Sequence, residues 1–384
     1  MVYSLEELFD LQMGKTPSRN NFNYWNTNDN KWVSISDLSQ SGRYIHETKE
    51  YISDDAIAES GIKVIPANTV IMSFKLSIGK VAITKEEMYS NEAIMAFHDK
   101  HTTELLPEYI YYLFRNKDWS IGTNKAVMGK TLNKATLSQM KISVCSIQKQ
   151  REIVSVLNKV SEIIDNMKDQ IFALDELIKS RFVEMFGDPV NNPFEWKKVS
   201  LSELAEIKIG PFGSLLHKDD YIEDGHPLVN PSHIKDGKII TDNKLTISDE
   251  KFDEMAAYHL KIGDVVMGRR GEMGRCAVVT EDGLLCGTGS LLIRSKGEIT
   301  ADYIQKIISF PSFKKIIEDM AVGQTMPNLN VPIVSNFKII KPPIGVQHKY
   351  YSFVHQIDKL KLTAKESLKK LEIMQKALMQ QYFC

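Results

Sequence analysis

Three stretches of this chain come close to motifs that do chemistry, and each lacks a residue or a following element that its chemistry requires. Met128-Gly129-Lys130-Thr131 has the lysine and hydroxyl of a phosphate-binding loop, but not the upstream glycine that lets backbone amides wrap a phosphate. Asn191-Asn192-Pro193-Phe194 approaches the Asn-Pro-Pro-aromatic motif of amino-methylation, has one proline, and reads as a junction turn. Gly287-Thr288-Gly289-Ser290 is glycine-rich but runs into Leu291-Leu292-Ile293, which reads as a strand, so a turn is expected there and not a nucleotide site. Cys145, Cys276, Cys286 and Cys384 form no CxxC pair and no zinc spacing with histidine.

Hydrogen-bond donors without an electrophile remain. Gly268-Arg269-Arg270-Gly271-Glu272-Met273-Gly274-Arg275 lies between two apolar runs. Arginine suits bidentate contact with guanine edges and phosphates, and glycines let a backbone approach closely. The equivalent stretch, Ser73-Phe74-Lys75-Leu76-Ser77-Ile78-Gly79-Lys80, has a different donor set. Gly14-Lys15-Thr16-Pro17-Ser18-Arg19 and Gly210-Pro211-Phe212-Gly213-Ser214-Leu215-Leu216-His217-Lys218 are matched loops able to donate to phosphates. The competing reading of each cluster is a solvated turn. The aromatic run Tyr109, Tyr111, Tyr112 and Phe114 reads as helix core and not as a base-stacking platform.

Composition bounds the rest. The 384 residues suffice for two or three domains, and 43% hydrophobic with 25% charged residues is ordinary for a globular protein. No apolar run reaches transmembrane length. Met1-Val2-Tyr3-Ser4-Leu5-Glu6-Glu7 has no signal-peptide pattern, so a reducing cytoplasm is expected. With 48 Lys+Arg against 49 Asp+Glu the net charge is -1, which argues against a lone nucleic-acid binder. It leaves room for a locally basic surface, or for a partner subunit that supplies phosphate contacts.

The elements that position these loops occur twice. Ser4-Leu5-Glu6-Glu7-Leu8 returns as Ser200-Leu201-Ser202-Glu203-Leu204, and Gln150 returns as Gln347. Val33-Ser34-Ile35-Ser36-Asp37-Leu38 aligns with Val229-Asn230-Pro231-Ser232-His233-Ile234, Gly79-Lys80-Val81-Ala82 with Gly274-Arg275-Cys276-Ala277, and Gly129-Lys130-Thr131 with Gly323-Gln324-Thr325. Strands are expected at 32–35, 70–72, 81–83 and 93–95, then a helix from Pro107; in the second copy at 227–229, 265–267, 276–279 and 291–293, then a helix from Ala301. Strands followed by a helix make each copy an α+β domain.

Each copy closes on a heptad-patterned helix of about 37 residues, roughly 55 Å, opening at Gln150 and at Gln347. Ile153, Leu157, Val160, Ile164, Met167, Ile171, Leu174, Ile178, Phe182 and Met185 step by alternating fours and threes. Tyr350, Val354, Ile357, Ala364, Leu368, Leu371, Leu378 and Tyr382 follow the same register, interrupted by Lys361 and Gln375. Helices this long need a partner for their seam. The expected fold is therefore α+β: two repeated mixed domains joined by two long antiparallel coiled-coil helices with pseudo-two-fold symmetry. Off-seam Val154, Ile163, Phe172, Leu177, Val183, Phe353, Leu360, Ile373 and Met379 read as docking surface for partner helices or as cover for their own domains.

This order of elements resembles the specificity subunit of type I restriction–modification systems. Phe186-Gly187-Asp188-Pro189-Val190 with Asn192-Pro193 is similar to that family's junction into its second half. Gly323-Gln324-Thr325-Met326-Pro327-Asn328-Leu329-Asn330 is similar to its recurring loop, and Lys341-Pro342-Pro343-Ile344 with Gln347 to its helix entry. The first copy departs from the pattern: it lacks the Pro-Asn pair after Gly129-Lys130-Thr131, and Cys145-Ser146 replaces Pro342-Pro343. The resemblance implies target recognition domains at 1–145 and 188–342, conserved helices at 146–187 and 343–384, and no catalytic residues. Each domain would read one half of a split, asymmetric DNA site. The resemblance and the basic loops together nominate Lys15, Thr16, Ser18, Arg19, Lys75, Lys80, Lys130, Ser214, His217, Lys218, Arg269, Arg270, Arg275, Gln324 and Asn328 as DNA contacts. Two modification (methyltransferase) subunits and the restriction (endonuclease/translocase) subunits would be partners, and would carry the S-adenosylmethionine, ATP and Mg that this chain does not bind. A scaffold whose two domains bind proteins is the alternative.

Overall fold

The computed structural model describes residues 1–75, 77–119, 124–126, 129–212, 215–321 and 328–383, with backbone alone at 124–126, 129–131 and 218. The fold is α+β, and the chain divides into two compact units: Met1–Asp169 with Lys365–Cys384, and Gln170–Ala364. Each unit thus holds one mixed domain and a stretch of each long helix.

In the first unit Ser4 and Glu7 cap the short helix Leu5–Leu8 reciprocally, satisfying amide groups that a helix start leaves open. Strand Phe9–Met13 follows as the edge of a five-stranded sheet, next to Ile94–Asp99, Val70–Ser73, Val81–Thr84 and Tyr44–Ile45 in that order. A smaller sheet pairs Asn30–Val33 with Glu50–Ile52 and, in parallel, with Tyr89–Ser90. Ser34, expected in a strand, leaves it to cap helix Ile35–Gln40. Helix Pro107–Asn116 starts with proline at its first turn, and its aromatic run is buried in the core.

The second unit repeats the plan. Ser200 and Glu203 form the same capping box over Leu201–Leu204. Ala205–Ile209, Ser290–Ser295, Val265–Gly268 and Cys276–Val278 form a four-stranded sheet in that order. His226–Val229 runs parallel to Leu284–Cys286, as Asn30–Val33 does to Tyr89–Ser90. Helix Ala301–Ile308 is followed by a further helix, Pro311–Met320.

The long helices are single elements of 40 residues, Ile147–Phe186 and Ile344–Phe383, each beginning three positions before its glutamine. Gly187, at φ 75°, ends the first one, a left-handed conformation that costs glycine nothing. Within each unit the helices run antiparallel. In the second, Ile178 O accepts from the Tyr350 hydroxyl at 3.2 Å, while the earlier Asp175 bonds the later Lys361. In the first, Gln375 Nε2 donates to Ser161 Oγ at 2.9 Å and Lys168 lies 3.8 Å from Glu372. The polar interruptions Lys361 and Gln375 are thus paired across the seam.

Along the seam Ile153, Leu157, Val160, Ile164, Ile178 and Ile357 are buried. Ile171, Leu174, Val354, Leu368, Leu371 and Leu378 are half-buried. Two helices alone cover a seam from one side only, so burial is complete chiefly where a domain adds its own core. Ile163, Phe172, Leu177, Val183, Leu360 and Ile373 are exposed. Val154 and Met379 pack on the core of the first unit and Phe353 on that of the second, so these three serve their own domains.

Gln150 and Gln347 are both 0% exposed. Gln150 Oε1 accepts from the Leu106 amide at 3.0 Å, and its Nε2 donates to Glu104 O at 2.9 Å and Cys145 O at 3.0 Å. Gln347 Oε1 accepts from the Thr300 amide at 2.9 Å, and its Nε2 donates to Pro342 O at 2.9 Å. Leu106 and Thr300 are the N-cap residues of helices Pro107–Asn116 and Ala301–Ile308. The amide therefore clamps each long helix to the start of its domain's own helix.

Gln150→Ala and Gln347→Ala strand these backbone groups, each worth about 1–3 kcal/mol when left unpaired. Either substitution should lower stability by about 2–5 kcal/mol in urea titration, and unchanged midpoints would show that the clamp is dispensable.

Candidate nucleic-acid interface

The first strand of each domain's main sheet hands on to a glycine at a matched place. Gly14 N–H donates to Ile94 O at 3.1 Å, and Gly210 N–H to Ser290 O at 3.0 Å. Three further backbone bonds repeat. Asn91 N–H donates to Val33 O at 3.1 Å, as Gly287 does to Val229 O at 3.0 Å. Phe74 N–H donates to Ala93 O at 2.9 Å, as Arg269 does to Gly289 O at 3.0 Å. Leu132 N–H donates to Phe74 O at 3.0 Å, as Leu329 does to Arg269 O at 2.9 Å. In each domain one rim therefore gathers the start of the loop after Gly14 or Gly210, Phe74 or Arg269, the turn at Asn91–Ala93 or Gly287–Gly289, and Leu132 or Leu329. The backbone frame is common, and the side chains mounted on it differ.

In the first domain the rim is built around Glu92. Burial raises the Glu92 carboxyl, but the Thr16 hydroxyl bonded to it and the Lys75 and Arg19 charges outweigh that and hold it below its ordinary range. Lys75 lies 5.1 Å from the Phe74 ring centre, and Lys80 is exposed. The Arg19 guanidinium stacks 3.6 Å over Trp25 and 5.0 Å from Trp32, and its Nη2 donates to Glu50 at 3.0 Å. Ser18 is exposed, and its carbonyl accepts from the Trp25 indole at 3.1 Å. Lys15 donates to Ser60 O.

In the second domain Arg275 is engaged by its own fold: Nη1 donates to Pro231 O at 3.1 Å and Nη2 to Glu272 at 2.6 Å. The Arg275 and Lys314 bonds hold Glu272 below the ordinary carboxylate range. Arg270 is exposed and forms an antiparallel bridge with Asn328. Arg269 is half-buried; burial first, then the Arg270 charge, pull its guanidinium below its ordinary value. Arg269 Nε and Asn328 Oδ1 are buried without a hydrogen-bond partner. His217 is exposed, with its backbone N–H on Asp220 at 2.6 Å. Ser214, Gln324 and the side chains of Lys130 and Lys218 lie outside the described residues.

Sequence reasoning missed Glu92, Glu50 and Glu272, the carboxylates that hold these cations. It also passed over Asn230, whose backbone N–H is bonded by the His233 ring at 3.2 Å and whose Oδ1 accepts from Gly289 at 3.4 Å. The alignment of Ser34 with Asn230 was the available signal, because both residues cap a short helix.

Among the described residues no cluster of His, Cys, Asp or Glu is placed to hold a metal ion, and no helix is long and apolar enough to cross a membrane. A family model described as "Type I restriction modification DNA specificity domain" matches residues 1–175 and 193–373. The type I restriction enzyme MjaIX specificity subunit of Methanocaldococcus jannaschii is 25% identical over 387 residues, covering 93% of this chain and 86% of that one. Two solved structures share the fold at 16% identity over 100% of this chain. One is the type I restriction–modification S subunit from M. genitalium, with a TM-score of 0.56 and 96% of that chain covered. The other, from work on complex assembly and conformational transition of the type I system, has a TM-score of 0.66 with 97% covered.

A Cβ on Gly14 would lie 2.2 Å from Asn91 O, and one on Gly210 2.0 Å from Gly287 O. Neither carbonyl is the end of a flexible side chain. Gly14→Ala and Gly210→Ala should each cost about 1–3 kcal/mol as the rim shifts to make room. Calorimetric melting of the two variants checks this, and wild-type melting would mean that the rim is not rigid.

Proposed function

The chain belongs to the type I restriction–modification DNA specificity family, and from that premise we propose that residues 1–145 and 188–342 are two target recognition domains, each reading one part of a split, asymmetric DNA site. As a specificity subunit the chain is non-catalytic. The observation that carries the two-reader account is the pair of rims: four matched backbone bonds hold one frame, and that frame carries Thr16, Arg19, Lys75 and Lys80 in one copy and Arg269, Arg270, Arg275 and Asn328 in the other, with Lys80 and Arg270 exposed. Lys15, Ser18, Lys130, Ser214, His217, Lys218 and Gln324 complete the proposed contact set. A shared frame fixes where donors stand, and the donor types set which bases they prefer.

The exposed apolar residues Ile163, Phe172, Leu177, Val183, Leu360 and Ile373 suit docking of two modification (methyltransferase) subunits, with the restriction subunits joining that core. S-adenosylmethionine, ATP and Mg belong to those partners, and the assembly acts in the cytoplasm. A net charge of -1 fits a reader whose phosphate contacts come partly from partner subunits. Family membership favours this account over a protein-binding scaffold.

Exchanging residues 1–145 for the matching domain of a relative tests the proposal. In the complex with methyltransferase subunits, the hybrid should keep the second part of the methylated site and change only the first. A change in both parts, or in neither, would contradict separate readers.

A further inference from the structure

The arginines of the second domain fall into two groups. Arg294 holds Asp264 through two bonds of 2.8 and 2.6 Å, and Arg275 holds Glu272 at 2.6 Å. Both are consumed by the fold. Among the described residues Arg269 and Arg270 have no acidic partner, although they sit side by side on the rim. A cation left without a carboxylate beside a like charge is held there at a cost, and an external acceptor removes that cost.

The two differ in how they are mounted. Arg270 is exposed, with a long side chain free to sample rotamers. Arg269 is half-buried, and its Nε is fully covered and unpartnered. Its backbone is pinned on both sides, through its N–H to Gly289 O at 3.0 Å and through its carbonyl from Leu329 at 2.9 Å. Asn328, next to Leu329, has a second covered and unpartnered atom on the same rim. A pinned backbone and a covered Nε leave Arg269 less freedom to lose on binding than exposed Arg270, which favours reading a base edge over tracking a backbone. The first domain marks the contrast. Phe74 makes the same two backbone bonds and is 1% exposed, packed in the core. The second copy therefore has a half-buried guanidinium on a pinned backbone where the first has a buried ring.

We infer that Arg269 and Arg270 divide the work of the second reader: Arg269 reads a guanine through its major-groove edge, and Arg270 binds backbone phosphate. The inference rests on the two-reader proposal above. A planar guanidinium matches guanine O6 and N7 in a way that no other base edge does, whereas a mobile exposed cation suits a phosphate, which carries no sequence information. The first domain has no donor at the Phe74 position, so its part of the site is not read in this way.

The test uses the full chain assembled with methyltransferase subunits. Binding is measured to its own site and to duplexes changed at each pair of the second part. Arg269→Phe is the informative variant, because the matched frame already accepts phenylalanine at Phe74. It should lose about tenfold to a hundredfold of the preference for G·C at one position of the second part, with the first part read as before. Arg269→Lys should fail to restore that preference, since an ammonium cannot make the bidentate contact. Arg270→Ala should weaken every duplex alike and reduce the slope of log affinity against log salt by about one unit. Undiminished G·C preference in Arg269→Phe, or uniform weakening with a shallower salt slope, would overturn the inference while leaving the two-reader account standing. Failure of the wild-type complex to discriminate in the second part at all would overturn both. Melting of each complex, and its unchanged discrimination in the first part, separate loss of reading from loss of fold.

Discussion

The whole arrangement depends on one buried side-chain amide per copy. A helix of 40 residues has no intrinsic reason to meet a small domain at a particular angle or register. Gln150 and Gln347 supply one. Each sits in the first turns of its long helix, fully covered, with its Oε1 accepting from the N-cap amide of the domain helix and its Nε2 spent on backbone carbonyls nearby. A buried amide left unpaired costs enough to disfavour any other docking of the helix. Apolar packing then completes the joint. In the first unit Ile153 and Leu157 join the core with Leu378 and Tyr382 beside them. In the second, Phe182 and Phe186 close on Tyr350 with ring centres 5.5 and 5.4 Å apart. The polar bond sets the register and the apolar contacts bury the joint.

From that joint the frame propagates to the rim. The domain helix packs on the main sheet, the sheet's first strand ends at Gly14 or Gly210, and the glycine lets the following loop lie against the turn before the second strand. Every link is backbone or core, and all of them recur in both copies. What varies is carried by the side chains mounted on this frame, some exposed, as Lys80 and Arg270 are, and some turned inward, as Phe74 is. Such a construction can change the sequence it reads without refolding, because the substitutions that matter touch neither the glutamine joint nor the sheet. The carboxylates Glu50, Glu92 and Glu272 belong to the same logic. Glu50 and Glu272 hold Arg19 and Arg275 in place, and Glu92 holds the Thr16 hydroxyl.

Much of this was legible in the residues. The internal repeat, the two long helices and the equivalence of the stretches that hold Phe74 and Arg269 all follow from patterns of spacing, because period and register are local properties. Heptad counting alone opens the long helices at Gln150 and Gln347, three positions late, since it begins with the seam and the first turn lies before it. Val154, Phe353 and Met379 were legible as apolar but not as core, because nothing local says that a domain covers them. The partners of Arg19 and Thr16 stayed hidden for the same reason: Glu50 and Glu92 arrive through tertiary folding, far along the chain. Gln150 and Gln347 were visible only as anchors of the repeat. That two uncharged polar residues are wholly buried, and why, is a tertiary fact.

The central claim is that one frame used twice reads two different sequences. Sequencing of modified bases in DNA from cells that carry the complete complex tests it most directly. The account predicts a single motif made of two unlike short parts with unread base pairs between them. A continuous palindromic motif, or two identical half-sites, would contradict it.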